Sequence, residues 1–123
     1  MNAAVSLPLD RSAEVLLPAA YSLLHRLGVT ENYKGFRYAA YAAALCALER
    51  ERLLLVTKLL YPDVARRFGT TWKAAERDLR TVATIAWTQN RDYLAYLSQS
   101  PLEQKPQCAQ FLSILALALR PSA

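Results

Sequence analysis

Four side chains in one short stretch, Lys73, Glu76, Arg77 and Arg80, have the types and spacing to do chemistry together. Steps of three and four residues bring them to one side of a helix. An Arg there can place two parallel hydrogen bonds on O6 and N7 of guanine, and a Glu can accept from the N4 amino group of cytosine. Ala75, Leu79, Val82, Ala83 and Ala86 fall at helical spacing too and form an apolar stripe. One stripe for a core, with long polar side chains in the N-terminal half, is the layout of a helix that enters a major groove. Charge and spacing alone equally describe a solvated helix face with a Glu76–Arg80 (i, i+4) ion pair.

Other chemistries find little material. His25 is the only histidine, without a clustered Cys, Asp or Glu, so it reads as a hydrogen-bonded structural residue. Cys46 and Cys108 fit neither a zinc spacing nor a disulfide framework, and read as buried free thiols in a reducing cytoplasm. There is no Gly-rich phosphate loop and no carboxylate pair in an apolar setting. The expectation is a protein that is not an enzyme, with no cofactor and no metal.

The elements around the four residues are punctuated for a helix-turn-helix. Pro62 suits a first helical position and Asp63 the positive end of the helix dipole. Gly69 can end that helix in the left-handed conformation, and Thr70 or Thr71 can cap the next. The recognition helix is expected over about 71–88, with Trp87 filling the core near its end.

Upstream, a helix is expected from Ser12, or from just before Pro18, to Leu27, where Gly28 stops it. A second runs from Lys34-Gly35-Phe36 to about Leu48, its many alanines implying close helix contact. Glu49-Arg50-Glu51-Arg52 reads as a solvated charge run, and about 52–60 as a third helix, buried because it is rich in Leu and Val. Downstream come one or two turns around Tyr93–Leu97, a loop from Ser98 to Pro106, and a last helix from about Gln107 to Leu119.

Composition agrees with this fold class: all-α, a compact single-domain bundle of about six helices containing a helix-turn-helix. The 123 residues fit one domain, hydrophobic residues make up 54 %, and there are only three glycines. A loose arm is expected over 1–15 and the domain over 16–120. The net charge is +5, and residues 57–91 hold seven basic against three acidic side chains, so the excess gathers on the helix-turn-helix. The longest apolar run, Tyr38–Leu48, has eleven residues, too short for a bilayer, and Met1–Pro8 has no basic residue to open a secretory signal. The expected location is cytoplasmic, with no membrane partner.

The pattern Thr57, Lys58, Leu60, Tyr61, Pro62, Asp63, Ala65, Phe68, Thr70, Thr71, Glu76, Arg77, Arg80, Trp87 resembles the C-terminal effector domain of the master response regulator of sporulation initiation, the stage 0 sporulation protein A family. Leu24-His25 with Gly28, Lys34-Gly35-Phe36 with Tyr38, Lys105-Pro106 and Phe111 extend the likeness over about residues 16–120. The resemblance implies sequence-specific binding of double-stranded DNA in transcription regulation. It places base reading of a TGTCGAA-like box on Glu76, Arg77 and Arg80. Phosphate contacts are assigned by position and charge to Lys58, Thr71, Lys73 and Lys105, while Arg66 and Arg67 are expected to point elsewhere. It further implies a homodimer, head to tail on tandem sites, and RNA polymerase as a partner.

Three departures from the family stand out. The residues before the match leave no room for the family's receiver domain, so phosphorylation-controlled dimerisation is not expected within this sequence. The stretch from Trp87 to Lys105 is shorter than the family's, near its polymerase contacts. Asp78 adds a negative charge to the reading helix, and Thr81 replaces a His. The alternative reading is a module that does not bind DNA but pairs with a full-length relative and modulates it.

Overall fold

The architecture follows from one helix that has almost no polar side. In the computed structural model, which describes residues 9–120, helix α2 (Gly35–Leu48) buries ten of its residues. Its alanines let neighbours approach on several sides, and a helix apolar all round belongs inside. Around it pack α1 (Leu9–Arg26), α4 (Tyr61–Phe68), α5 (Trp72–Ser98) and α6 (Cys108–Leu119). A 3-10 segment (Arg50–Leu54) and the single turn α3 (Val56–Leu59) connect α2 to α4. The fold is all-α, with no strand among the described residues.

The helix-turn-helix forms as its punctuation predicts. Pro62 sits in the first turn of α4, and Gly69 closes it at φ +65°. The Thr70 N–H reaches the Ala65 carbonyl at 2.9 Å, which satisfies an orphan acceptor of the helix end. Thr71 caps α5, its Oγ1 accepting from the Ala74 N–H at 3.1 Å. Ala75, Leu79, Val82, Ala83 and Ala86 are buried, as the stripe requires.

Four expectations need correction. The helix expected from Ser12 begins at Leu9 and runs through Pro18, so the arm expected over 1–15 is helical from Leu9; residues 1–8 lie outside the described residues. The expected third core helix is a 3-10 segment and one turn, with Leu54, Leu55 and Leu59 exposed and only Leu60 and Arg52 buried. Helix α5 does not stop near Trp87. It kinks at Asn90 (φ −156°, ψ 64°) and continues to Ser98. Trp87 does pack against the core, as expected, but is half-buried there, with the Arg91 guanidinium 4.4 Å from its ring centre.

Arg52, read as part of a solvated run, instead joins two elements. It donates to Glu49 at 2.8 Å, to Asp63 at 2.7 Å and to the Leu59 carbonyl. Burial works against its charge, but the hydrogen bonds to Asp63 and Glu49 outweigh it and hold its pKa above the ordinary value. The segment before α4 has few apolar anchors, and this guanidinium supplies the tie.

Candidate nucleic-acid interface

Helix α5 is positioned from behind by close backbone packing. A Cβ on Gly35 would lie 2.4 Å from the Asp78 carbonyl oxygen and 2.6 Å from the Val82 side chain. Only glycine allows the start of α2 to come this near the N-terminal half of α5. Further along, Asn90 at the kink donates to the Arg26 carbonyl at 2.8 Å and accepts from the Tyr93 N–H at 3.2 Å. One side chain therefore closes the end of α1 and restarts α5.

The outward side of α5 carries the residues the spacing picked out. Lys73, Arg77 and Arg80 are exposed, and Glu76 is half-buried. The ion pair expected of a merely solvated face is missing: Glu76 and Arg80 form no salt bridge in the described residues. Arg80 likewise has no ion pair among the described residues. Arg77 donates from Nε to Asp78 Oδ1 at 3.4 Å, a long contact at the surface. Lys73 Nζ lies 5.7 Å from the ring centre of Trp72, which is itself exposed.

Lys105 joins this face from a distant part of the chain. Its Nζ donates to Thr84 Oγ1 at 2.9 Å, and Thr84 in turn donates to the Arg80 carbonyl at 3.1 Å. The loop before α6 thereby lays a fourth cation on the outward face of α5, one turn beyond Arg80. Glu76, Arg80 and Lys105 line a cleft of about 450 Å³, floored by Tyr61, Ala83 and Cys108. Lys58 is exposed on α3, two residues from Val56, which also lines the cleft. Thr71 is exposed at the cap, where its oxygen accepts from the helix and its hydroxyl proton remains available to a phosphate.

The other basic residues of the motif are engaged elsewhere. Arg66 pairs with Asp63 at 2.7 Å and Arg67 with Glu14 at 3.1 Å, while the Arg67 guanidinium also lies over Tyr41. His25 bonds Glu31 at 2.9 Å and stacks on Phe36, the structural role its isolation suggested. That hydrogen bond holds the Glu31 carboxyl below its ordinary pKa. Both cysteines are buried free thiols. No helix of the described residues is long and apolar enough to cross a membrane.

Sequence reasoning missed three parts of this surface. It flagged Asp78 as an added charge but not as a partner of Arg77, although neighbours of opposite sign on one turn invite that reading. It missed Trp72 beside Lys73. Nothing local to Thr84 signals Lys105, because 21 residues separate them.

What can such a face do? Four exposed cations (Lys73, Arg77, Arg80 and Lys105), one half-buried carboxylate and a capped helix N-terminus can meet a polyanion and carry both donors and an acceptor to base edges. The family described as "Sporulation initiation factor Spo0A C terminal" matches residues 20–119.

Proposed function

The chain belongs to the Spo0A C-terminal family, a family of DNA-binding regulator domains of sporulation, and from that premise we propose sequence-specific reading of double-stranded DNA by the outward face of α5. In this reading the N-terminal half of α5 lies in the major groove. Arg77 and Arg80 each donate to O6 and N7 of a guanine, and Glu76 accepts from a cytosine amino group. Lys73, Lys105, Lys58 and the Thr71 hydroxyl hold phosphates on either side and fix the register without reading sequence.

The observation that carries this reading is the exposed basic face itself: Arg80 has no ion pair among the described residues, and α5 is braced through Gly35 on its buried side. A guanidinium left without a protein partner has no ion pair to break when it meets a base, and the braced helix fixes the point from which it reaches. Two copies head to tail on tandem boxes, and RNA polymerase as a further partner, belong to the same proposal and rest on the family alone.

The test is selection of bound duplexes from a random pool by the purified chain. Enrichment of a short box containing at least one guanine, with affinity falling linearly in log–log as salt rises, is the expected result. Recovery of unenriched pool, or no retention at low salt, would overturn the reading.

A further inference from the structure

The two arginines of the reading face are not equivalent. Arg80 is unpaired among the described residues, whereas Arg77 has its Nε on Asp78 Oδ1 at 3.4 Å. The exposures are unequal as well: the Arg77 side chain is 64 % exposed and that of Asp78 only 17 %. A carboxylate largely withdrawn from water is a steadier anchor than the long side chain it touches. The backbone that carries it is fixed, because the Asp78 carbonyl faces Gly35 at a distance that admits no Cβ.

A guanidinium has five N–H donors arranged around a rigid plane. A carboxylate on Nε occupies one edge and leaves the two Nη groups at the far end for a second partner. The Nη pair is the end that fits O6 and N7 of guanine side by side. We propose that Asp78 is a positioning residue for base reading: it holds Arg77 by Nε so that the Nη end is presented to a guanine in the duplex. The inference rests on the function proposed above and adds to it a second effect. The Asp78 charge lowers the pull of this face on phosphates in general, so the same residue weakens binding to all sequences while sharpening the choice at one base pair.

These effects separate in an experiment. Dissociation constants are measured for the parent chain, Asp78→Ala, Asp78→Asn and Arg77→Ala. The duplexes are the parent's preferred one and a set in which each G·C pair is replaced in turn. Both Asp78 variants remove a charge and are expected to bind unrelated duplexes several-fold more tightly. Asp78→Ala is also expected to lose about tenfold in discrimination at the single pair whose preference Arg77→Ala abolishes. Asp78→Asn is nearly isosteric and can still accept from Nε, so it is expected to keep most of that discrimination. If Asp78→Ala discriminates there as well as the parent, the positioning role is wrong and Asp78 is a surface charge only. A parent with no base preference at all would instead overturn the base-reading function, and this inference with it.

Discussion

Arg80, Lys73 and Lys105 stand on the same exposed face, yet their chemistry suits them to different tasks in the proposed interface. An arginine without a protein partner can meet a guanine with two donors, while a lysine is a point charge suited to phosphate. Arg80→Ala is therefore expected to cost about 1–3 kcal/mol and to relax one base preference. Lys73→Ala and Lys105→Ala should weaken binding nearly equally across sequences and reduce the salt slope by about 1 each. Anisotropy titrations at several salt concentrations check both. Equal loss on all duplexes for Arg80→Ala would remove it from the base-reading set. Lys105 carries one further expectation, because its ammonium rests on Thr84. Thr84→Val keeps the shape and removes the acceptor, and should reproduce part of the Lys105→Ala loss.

Among the elements, the reading helix owes its position to what lies behind it. The Gly35–Asp78 approach makes a strong prediction: Gly35→Ala forces a methyl group within 2.4 Å of a backbone oxygen. Overpacking of this kind costs about 1–3 kcal/mol. A fall in the thermal midpoint together with weakened duplex binding is expected, and an unchanged midpoint would mean that α2 and α5 have room to separate. Gly69→Ala differs in cause, since nothing lies within 4 Å of its would-be Cβ and only the left-handed φ of +65° resists.

Most of this level was legible in the sequence because its signals are local. Pro62, Gly69 and Thr71 act within a few residues of themselves, and the Ala75–Ala86 stripe repeats at helical period. What escaped was non-local. Nothing near Arg52 tells that it will be buried against Asp63, and a run of alternating charges argues the opposite. The Leu-rich stretch from Leu53 to Leu60 has the composition of a core helix, but it folds as a 3-10 segment and one turn that expose Leu54 and Leu55. Asn90 sits in a polar stretch that looks like a helix end. It is one in the sense that it breaks the helical backbone, but the same side chain caps a continuation whose Tyr93 meets Arg26 of α1 at 3.1 Å.

For the whole molecule, the core and the reading face meet beneath the cleft. Tyr61 of α4, Cys108 of α6 and Cys46 of α2 are all buried. Burial pushes the Cys46 thiol from 9.0 up to about 12, and raises Cys108 and Tyr61 in the same direction. Groups whose folded pKa is raised favour folding while they stay neutral, so their stabilisation is complete below the ordinary thiol value. It is lost as pH climbs through the folded value. The thermal midpoint should accordingly hold at neutral pH and fall between about pH 9 and 12, with a shallower fall in Cys46→Ala; identical profiles would show that Cys46 does not contribute. The net charge of +5 adds a second property of the whole. Concentrated around the helix-turn-helix, it should steer the chain to duplex DNA at low salt whatever the sequence, leaving specificity to the few side chains of α5.

That specificity is open to a direct measurement. Each guanine of the preferred duplex is replaced in turn by 7-deazaguanine, which deletes the N7 acceptor in the major groove and leaves the base pairing intact. A loss of affinity is expected at one or two positions, with the loss at one of them absent in Arg80→Ala because that arginine is already gone. Full affinity for every substituted duplex would contradict a reading helix in the major groove.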